Sequence, residues 1–269
     1  MDLYLLFHSV LLHLSAAIVI LIYIPLSIPV RLFMWAFVKP LRKEDLRGKV
    51  VLITGASSGI GEELAYQYAA KGACLSLVAR RKQALEGVAA AARERGRAGL
   101  NHLVANAGAS CFFDEVTNIA AFTKIMDVNF WGSVYPTYYA LPHLKASKGK
   151  LIVTSSVAAT APASRMSLYN ATKAAQLRFF ETLRSELGSE VGVTILTTGF
   201  VESEMTKGKV IQRDGEVAID EEARDVQIGV FPVARVEQLC EAALNGVRRG
   251  DWYVTWPSML LDMFQIPHS

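Results

Sequence analysis

The chain has 269 residues, of which 52% are hydrophobic, and its formal net charge is +3. This length and apolar content suffice for one large domain with a substantial core, and the small, dispersed positive charge argues against nucleic acid as a partner. Cys74, Cys111 and Cys240 lie far apart and are odd in number, which fits neither a disulfide framework nor zinc-ligand spacing. Because the histidines are also isolated, we expect no metal site.

The first predicted element is an apolar leader. No charged side chain occurs between Leu3 and Val30, and basic residues follow from Arg31 onward. A run of this length can cross the roughly 30 Å hydrocarbon core of a bilayer, and the excess of positive charge after it favours a cytosolic location for the rest of the chain. The acidic start "MDLYLLF" makes a cleaved signal peptide the weaker interpretation. Residues 1–38 are therefore predicted to form a membrane anchor.

Two prolines near the end of this run leave the form of the anchor open. Pro25 and Pro29 lie within "IPLSIPV". Proline interrupts helical hydrogen bonding, which permits either a kinked transmembrane helix or a hairpin that enters one leaflet and returns. The sequence predicts attachment to a membrane or lipid monolayer and does not decide between these forms.

From about Gly48 onward, short apolar runs alternate with longer helical patterns. This alternation predicts an α/β doubly wound parallel sheet of the Rossmann type at residues 48–256, followed by a short tail at 257–269. The strands are predicted at "KVVLIT", "CLSLV", "NHLVA", "KLIVTS", "VGVTILT" and "WYVTW". The helices are predicted near residues 60–71, 83–97, 119–145, 169–188 and 234–247.

The first predicted strand runs into the glycine-rich segment "TGASSGIGEE". Glycines here allow a tight turn and let backbone amides approach a pyrophosphate at the N-terminus of the next helix. A glycine-rich turn without a ligand is the alternative, which the order of strand, glycines and helix disfavours. The predicted cofactor-binding residues of this turn are Gly55, Ser57, Ser58, Gly59, Ile60 and Gly61.

The end of the second predicted strand indicates which dinucleotide binds. An acidic residue at this distance from the glycines usually binds the ribose 2′-hydroxyl of NAD. Here Arg80 and Arg81 follow Ala79, and their guanidinium groups suit a 2′-phosphate. A solvated basic helix start is the alternative, but the pattern favours NADP(H) as the cofactor.

Over residues 48–256 the chain resembles the short-chain dehydrogenase/reductase family. The likeness rests on the glycine motif followed in order by Asn106-Ala107-Gly108, Asn129, Ser156 and Tyr169-x-x-x-Lys173. Within the family, the apolar leader, "MDVNFWGSVY", "FFETLRSELG" and "GFVESEMTKGK" resemble the plant 11-beta-hydroxysteroid dehydrogenase-like proteins, which include the steroleosins of seed oil bodies. The resemblance implies hydride transfer between NADP(H) and a hydroxyl or ketone of a hydrophobic substrate, with a steroid or sterol expected.

The resemblance assigns catalytic roles to four side chains. Tyr169 would exchange a proton with the substrate oxygen, and Lys173, four residues later, would bind the nicotinamide ribose and favour the phenolate. Ser156 would hydrogen-bond the substrate oxygen, with Ser155 the less favoured candidate, and Asn129 would bind a water that relays protons to Lys173. The likeness also extends the cofactor site to Asn106, Ala107, Gly108, Tyr169, Lys173, Val201 and Ser203.

The segment after the predicted strand "VGVTILT" departs slightly from the family pattern. Thr198 replaces a proline, and Ser203 stands where a threonine usually meets the carboxamide of the nicotinamide. A serine can make a similar hydrogen bond. The polar segment 204–227 is expected to form a lid over the substrate.

Two stretches are shorter than the family pattern. Between the strand that ends at Val78 and "NHLVANAG" only one helix fits, so the third strand and the helix after it are predicted to be missing. The remaining helix would have to change sheet face or make a left-handed crossover, which uncovers apolar surface of the second strand. The short end "MLLDMFQIPHS" predicts the loss of a tail that supports substrate binding or dimerisation. A catalytically impaired structural protein of a membrane or lipid droplet is therefore the alternative function.

The resemblance also implies a location and partners. The anchor would hold the chain at the endoplasmic reticulum or a lipid droplet, with the catalytic domain in the cytosol. A homodimer would form through the helices that carry Asn129 and Tyr169.

Overall fold

A computed structural model describes residues 3–38, 41, 43–79, 100–111, 121–212, 216–229 and 232–258. The chain divides into two compact units, Met1–Glu44 and Asp45–Ser269. The predicted helix at 83–97 and nearly all of the predicted tail lie outside the described residues.

The first unit is helical throughout residues 3–38. It contains, in chain order, α1 (Leu3–Ile18), a π-helical segment (Val19–Tyr23), α2 (Ile24–Phe33) and a second π-helical segment (Met34–Val38). The stretch Leu6–Val30 has a mean hydropathy of 2.3 and is long and apolar enough to cross a membrane by length and composition.

The prolines of this unit lie within helix. Pro29 is inside α2, and Pro25 is the second residue of α2, which begins directly after the first π-helical segment. A proline removes one backbone donor, and a π-helical turn next to it is one way to accommodate the missing hydrogen bond. Helix therefore continues across both prolines, with no reversing turn in the described residues 3–38.

The second unit is built around a six-stranded parallel sheet. All neighbouring pairs are parallel, so the predicted parallel sheet is confirmed and every predicted strand is present. In spatial order the strands are β2 (Cys74–Val78), β1 (Val50–Thr54), β3 (His102–Ala105), β4 (Lys150–Thr154), β5 (Gly192–Thr198) and β8 (Tyr253–Trp256). A separate antiparallel pair consists of β6 (Lys209–Ile211) and β7 (Val217–Ile219).

In the described part of the chain, helices occur at the predicted places, and a short helix at Glu221–Ile228 is additional. The predicted helix at 119–145 is a composite of the helix Ala121–Met126, a π-helical segment and the helix Gly132–Ser147. The described helices are α3 (Gly59–Ala70), α4 (Ala121–Met126), the π-helical segment Asp127–Trp131, α5 (Gly132–Ser147), α6 (Ser167–Leu187), α7 (Glu221–Ile228) and α8 (Val236–Arg249).

Successive side chains of the strands point into two separate cores. Ile152 of β4 packs in one core with residues of α3 and α8, whereas its neighbours Leu151 and Val153 pack in the other with residues of α5 and α6. This two-residue alternation places a helical layer on each face of the sheet. The doubly wound arrangement is confirmed.

The strand order creates a crevice at the carboxyl ends of β1 and β3. These strands are neighbours, but the chain leaves β1 towards β2 on one side and leaves β3 towards β4 on the other. Ligands bind at such a switch point in open α/β sheets. The glycine turn after Thr54 and the segment after Ala105 meet there. β2 is the outermost strand on its side in the described part of the chain, and the predicted loss of the third strand involves residues 80–99, which lie outside that part.

Candidate active site

The glycine turn joins β1 to α3 by close backbone packing. Gly55 has a φ of +66° and Gly59 a φ of +58°, a region that favours glycine. A Cβ atom on Gly61 would collide with the Gly55 carbonyl oxygen and lie 2.5 Å from Nδ2 of Asn106. A Cβ on Gly55 would lie 2.8 Å from Cα of Ala107. The turn therefore requires glycine at these positions, and it leaves the first backbone amides of α3 without an intrahelical partner.

Asn106 braces this turn from the end of β3. Its Nδ2 donates to the carbonyl oxygens of Thr54 and Gly55, both at 3.3 Å. In return, the backbone amides of Asn106 and Ala107 donate to Oγ1 of Thr54 at 3.1 and 3.3 Å. Asn106 was predicted to bind the cofactor, and its side chain is seen to hold the shape of the glycine turn.

Tyr169 and Ser156 lie near each other in the wall of a cavity. Tyr169 lies near the start of α6, Ser156 follows β4, and the Ser156 hydroxyl lies near enough to the phenol to affect its pKa. Ser156 is held in place because its Oγ donates to the Thr198 carbonyl and accepts from the Ala158 amide, both at 3.2 Å. The neighbouring hydroxyl of Ser155 is buried and has no hydrogen-bond partner in the described structure. The phenol therefore faces Ser156, the serine that the sequence favoured.

Lys173 lies one turn along α6 from Tyr169. Its Nζ is 5.9 Å from the centre of the Tyr169 ring and donates to the Thr154 carbonyl at 2.9 Å. Burial lowers the pKa of Lys173 to about 8. Burial also raises the pKa of Tyr169, and the neighbouring Ser156 hydroxyl opposes this increase. The sequence predicted a lowered phenol pKa; in the protein alone, desolvation outweighs the interactions that favour phenolate.

Asn129 lies behind the cavity, fully buried in the π-helical segment. Its side chain pairs with both backbone groups of Ala109: Oδ1 accepts from the amide at 2.8 Å and Nδ2 donates to the carbonyl at 3.0 Å. Nδ2 also donates to Oγ1 of Thr172 at 2.9 Å. Asn129 thus ties the π-helical segment to α6 and to the loop after β3.

Two polar residues in this network were not predicted. Thr172 and Gln176 are both buried completely on the inner face of α6. Gln176 follows Lys173 by three residues, which places both on one helix face. One sequence signal could have identified Gln176. It is a long polar side chain at that spacing, in a helix whose other buried positions are mostly apolar.

The segment after β5 forms the opposite wall. Val201 is buried and bridges to Ala234. Ser203 lies close to the glycine turn: a Cβ on Gly59 would be 3.3 Å from the Cβ of Ser203. The predicted lid, residues 204–227, contains β6, β7 and most of α7, and several of its residues line the cavity.

Ser58 of the glycine turn contacts this wall directly. Its Oγ donates to Oε2 of Glu204 at 3.2 Å, and the same carboxylate oxygen accepts from Nζ of Lys209 at 3.0 Å. The carboxylate close to the turn is therefore paired with an ammonium, which reduces its repulsion of an anionic ligand.

One cavity of about 1350 Å³ joins these features. Asn129 and Gly61 do not line it and lie directly behind its wall, and Arg80 and Arg81 lie outside the described residues. The predicted site residues that line it are Gly55, Ser57, Ser58, Gly59, Ile60, Asn106, Ala107, Gly108, Ser156, Tyr169, Lys173, Val201 and Ser203. In the described ranges, no group of three or more His, Cys, Asp or Glu side chains could hold a metal ion.

The fold and this arrangement of side chains define a dinucleotide-dependent oxidoreductase scaffold, and the chain belongs to the short chain dehydrogenase family. The family's sequence pattern matches residues 49–99 and 90–214.

Individual proteins of known sequence or structure show this similarity more specifically. The chain is 47% identical to 11-beta-hydroxysteroid dehydrogenase 1A of Arabidopsis thaliana over 255 residues, which covers 84% of this chain and 73% of that protein. A short-chain dehydrogenase from Sphingobium yanoikuyae, solved in complex with NADPH, is 27% identical, with a TM-score of 0.67 over 81% of this chain and 91% of its own. A short-chain dehydrogenase/reductase from Burkholderia phymatum, solved with NAD, has a TM-score of 0.70 at 22% identity and covers 82% and 93%.

Proposed function

We propose that the protein is a membrane-bound oxidoreductase that interconverts a hydroxyl group and a ketone on a hydrophobic substrate with NADP(H). The observation that carries this proposal is that Tyr169, Ser156 and Lys173 line one cavity that extends to the glycine turn, with Lys173 one helical turn from Tyr169. A proton donor, an orienting hydroxyl and a dinucleotide cradle are thus in one place.

The cradle, which consists of the glycine turn at residues 55–61 and the N-terminus of α3, fits a dinucleotide. Gly55 and Gly61 let the turn pack tightly against Asn106 and Ala107, where a Cβ would collide, and the helix N-terminus that follows favours a pyrophosphate. NADP(H), when bound, would supply or accept the hydride. The preference for the 2′-phosphate rests on Arg80 and Arg81 in the sequence and is supported by the relative solved with NADPH.

The chain's own residues would supply the acid–base chemistry. In reduction, the Tyr169 hydroxyl donates its proton to the substrate oxygen, and in oxidation the phenolate takes the alcohol proton. Ser156 orients that oxygen by a hydrogen bond. The Lys173 ammonium stabilises the phenolate and can bind a ribose hydroxyl, while Asn129 holds the surrounding backbone in position.

Apolar side chains around Tyr169 support a hydrophobic substrate. Met166, Val210 and Ile211 are buried in one cluster with Tyr169, and Met205 packs against it. All of these line the cavity. A steroid or sterol fits this chemistry, and the plant relatives that carry the name 11-beta-hydroxysteroid dehydrogenase support that substrate class.

The N-terminal unit would deliver the enzyme to such substrates. We place the anchor at residues 1–38, the catalytic domain at 48–256 and the tail at 257–269. The continuous helix over residues 3–38 favours a span over a hairpin, because a hairpin needs a reversing turn. Basic residues after the span favour a cytosolic catalytic domain at the endoplasmic reticulum or a lipid droplet.

A homodimer through α5 and α6 is also proposed. The aromatic side chains of Trp131, Tyr135 and Tyr138 are exposed along one face of the π-helical segment and α5. Such a row of exposed aromatic residues is typical of an interface.

The shortened link between β2 and β3 motivates the alternative, a catalytically impaired membrane or droplet protein. It is supported by the edge position of β2 among the described strands and by a family match that comes in two overlapping pieces. The assembled Tyr169 site favours the enzyme.

The deciding experiment uses the full chain in detergent. Binding of NADPH and NADH is measured by nucleotide fluorescence, and oxidation of each is followed with a panel of steroid ketones and small polar ketones. We expect tighter binding of NADPH and turnover confined to the steroid ketones. Absence of NADP(H) binding would contradict the proposal, and binding without any turnover would favour the alternative.

A further inference from the structure

We infer that Gln176 is a positioning residue for the Lys173 ammonium, linking it to the π-helical segment that carries Asn129. Oε1 of Gln176 accepts from Nζ of Lys173 at 3.3 Å, and its Nε2 donates to the Asn129 carbonyl at 3.0 Å and to Oγ of Ser133 at 2.8 Å. This inference rests on the proposed function only for its catalytic consequence.

The chemistry of the partners determines the orientation of the Gln176 amide. An ammonium only donates hydrogen bonds and a backbone carbonyl only accepts them, so Oε1 must face Lys173 and Nε2 must face Asn129. Ser133 donates its own proton to the Asn129 carbonyl at 3.1 Å and is free to accept from Nε2. Every polar atom of the buried amide is paired, so the side chain has one stable placement.

This link is separate from the water relay that the family resemblance implies for Asn129. The path from Asn129 to Lys173 runs through an amide, which holds hydrogen bonds and takes up no proton at neutral pH. Gln176 therefore affects the position and the protonation state of the Lys173 side chain. An acceptor at Nζ favours the ammonium over the neutral amine and opposes the desolvation that lowers the Lys173 pKa.

The groups that face Lys173 make this effect measurable. Tyr169, on the same helix, is the titratable neighbour among the described residues. β4 contributes the Thr154 carbonyl, the loop after β3 approaches with Gly108, and the π-helical segment acts through Gln176. These other groups are uncharged, so a change at position 176 is not masked by a second ion pair there.

The test is a pH titration of lysine Cε signals by NMR, in the full chain in detergent micelles, with Lys173 assigned by Lys173→Met. We expect Gln176→Leu to lower the pKa of Lys173 by about one unit, the size of one hydrogen bond to a charged group. Gln176→Glu keeps the shape and the acceptor, adds a negative charge and should raise that pKa. The matched control is Gln67→Leu, because Gln67 also makes two side-chain hydrogen bonds but in another part of the protein.

Opposite shifts for Leu and Glu, with none for Gln67→Leu, would establish the inference, and the alkaline limb of kcat/KM should move in the same directions. Unchanged Lys173 titration in both Gln176 variants, or an equal shift in Gln67→Leu, would overturn it. If Gln176→Leu does not fold, the Glu variant decides through the sign of its shift. The titration needs no turnover. An inactive wild-type chain would therefore contradict the proposed function, whereas the titration would still test the role of Gln176.

Discussion

The ammonium of Lys173 lies 5.9 Å from the centre of the Tyr169 ring, and both side chains are buried on the cavity side of α6. Burial raises the pKa of the phenol and lowers that of the amine to about 8, so in each case it disfavours the charged form. Catalysis by an ionisable tyrosine needs the opposite balance. Two hydrogen bonds that Lys173 donates, to the Thr154 carbonyl and to Oε1 of Gln176, oppose desolvation of the ammonium, and the Ser156 hydroxyl opposes it at the phenol.

Replacing Tyr169 by Phe should reduce kcat/KM by about two to four orders of magnitude, because the proton donor is lost while the ring is kept. Steady-state oxidation of NADPH with an active steroid ketone measures this, and fluorescence should show NADPH binding retained. Tyr139→Phe is the control, since Tyr139 is 73% exposed on α5. Equal turnover in wild type and Tyr169→Phe would remove Tyr169 from the mechanism.

Of the two serines after β4, Ser156 should matter far more for activity than Ser155. Ser156→Ala should lower kcat by about a hundredfold, the loss typical of one hydrogen bond that orients a reacting oxygen. Ser155→Ala should leave turnover near wild type, and thermal stability equal or higher, because the Ser155 hydroxyl is buried without a partner in the described structure. Parallel kinetics and melting curves of both variants provide the comparison, and a larger loss in Ser155→Ala would reverse the assignment.

Adding one methyl group to the glycine turn should disrupt the cradle. Gly61→Ala places a Cβ against the Gly55 carbonyl and Asn106, so the turn must shift, and NADPH affinity should fall by about tenfold or more. Gly192→Ala is the matched control because its nearest neighbour is the flexible Lys150 side chain, at 3.3 Å. Titration of nucleotide fluorescence measures both. Undiminished affinity in Gly61→Ala would show that the dinucleotide binds elsewhere.

The stability of the protein should depend on pH through Lys173. Its folded pKa of about 8 lies below the ordinary value of 10.5, so between these pH values the unfolded chain binds more protons and stability rises with pH. Below pH 8 the full cost of the buried charge is present, roughly 3 kcal/mol. We expect the free energy of unfolding of the wild type, relative to Lys173→Met, to increase by about that amount between pH 7 and pH 10.5. Denaturant unfolding of both proteins across this range measures the difference, and a flat difference would contradict burial of the ammonium.

The leader should behave as an integral membrane segment. In alkaline carbonate extraction of cell membranes, we expect the full chain to stay in the pellet. Leu21→Lys, near the middle of the apolar stretch, should weaken insertion by about 3 kcal/mol and release a large share of the protein. Leu41→Lys is the control, as it lies beyond that stretch. Complete extraction of the wild type would rule out an anchor.

The sequence by itself determined the six strands of the parallel sheet, the places of α3, α6 and α8, the glycine turn and the Tyr169–Lys173 pair, because each depends on local patterns: apolar runs, glycine spacing and one helical turn. The strands β6 and β7 and the helix α7 were not predicted, since the sequence assigned their residues to a polar lid. The helix at 119–145 was predicted as one element, whereas the chain there contains a π-helical segment around Asn129. Helical periodicity does not reveal such a segment. Only the tertiary structure brought Asn129, Gln176 and Lys173 into one network, since its hydrogen bonds join residues up to 47 positions apart. The direction of the Tyr169 pKa shift was likewise decided by burial, which depends on packing that no single stretch of sequence encodes.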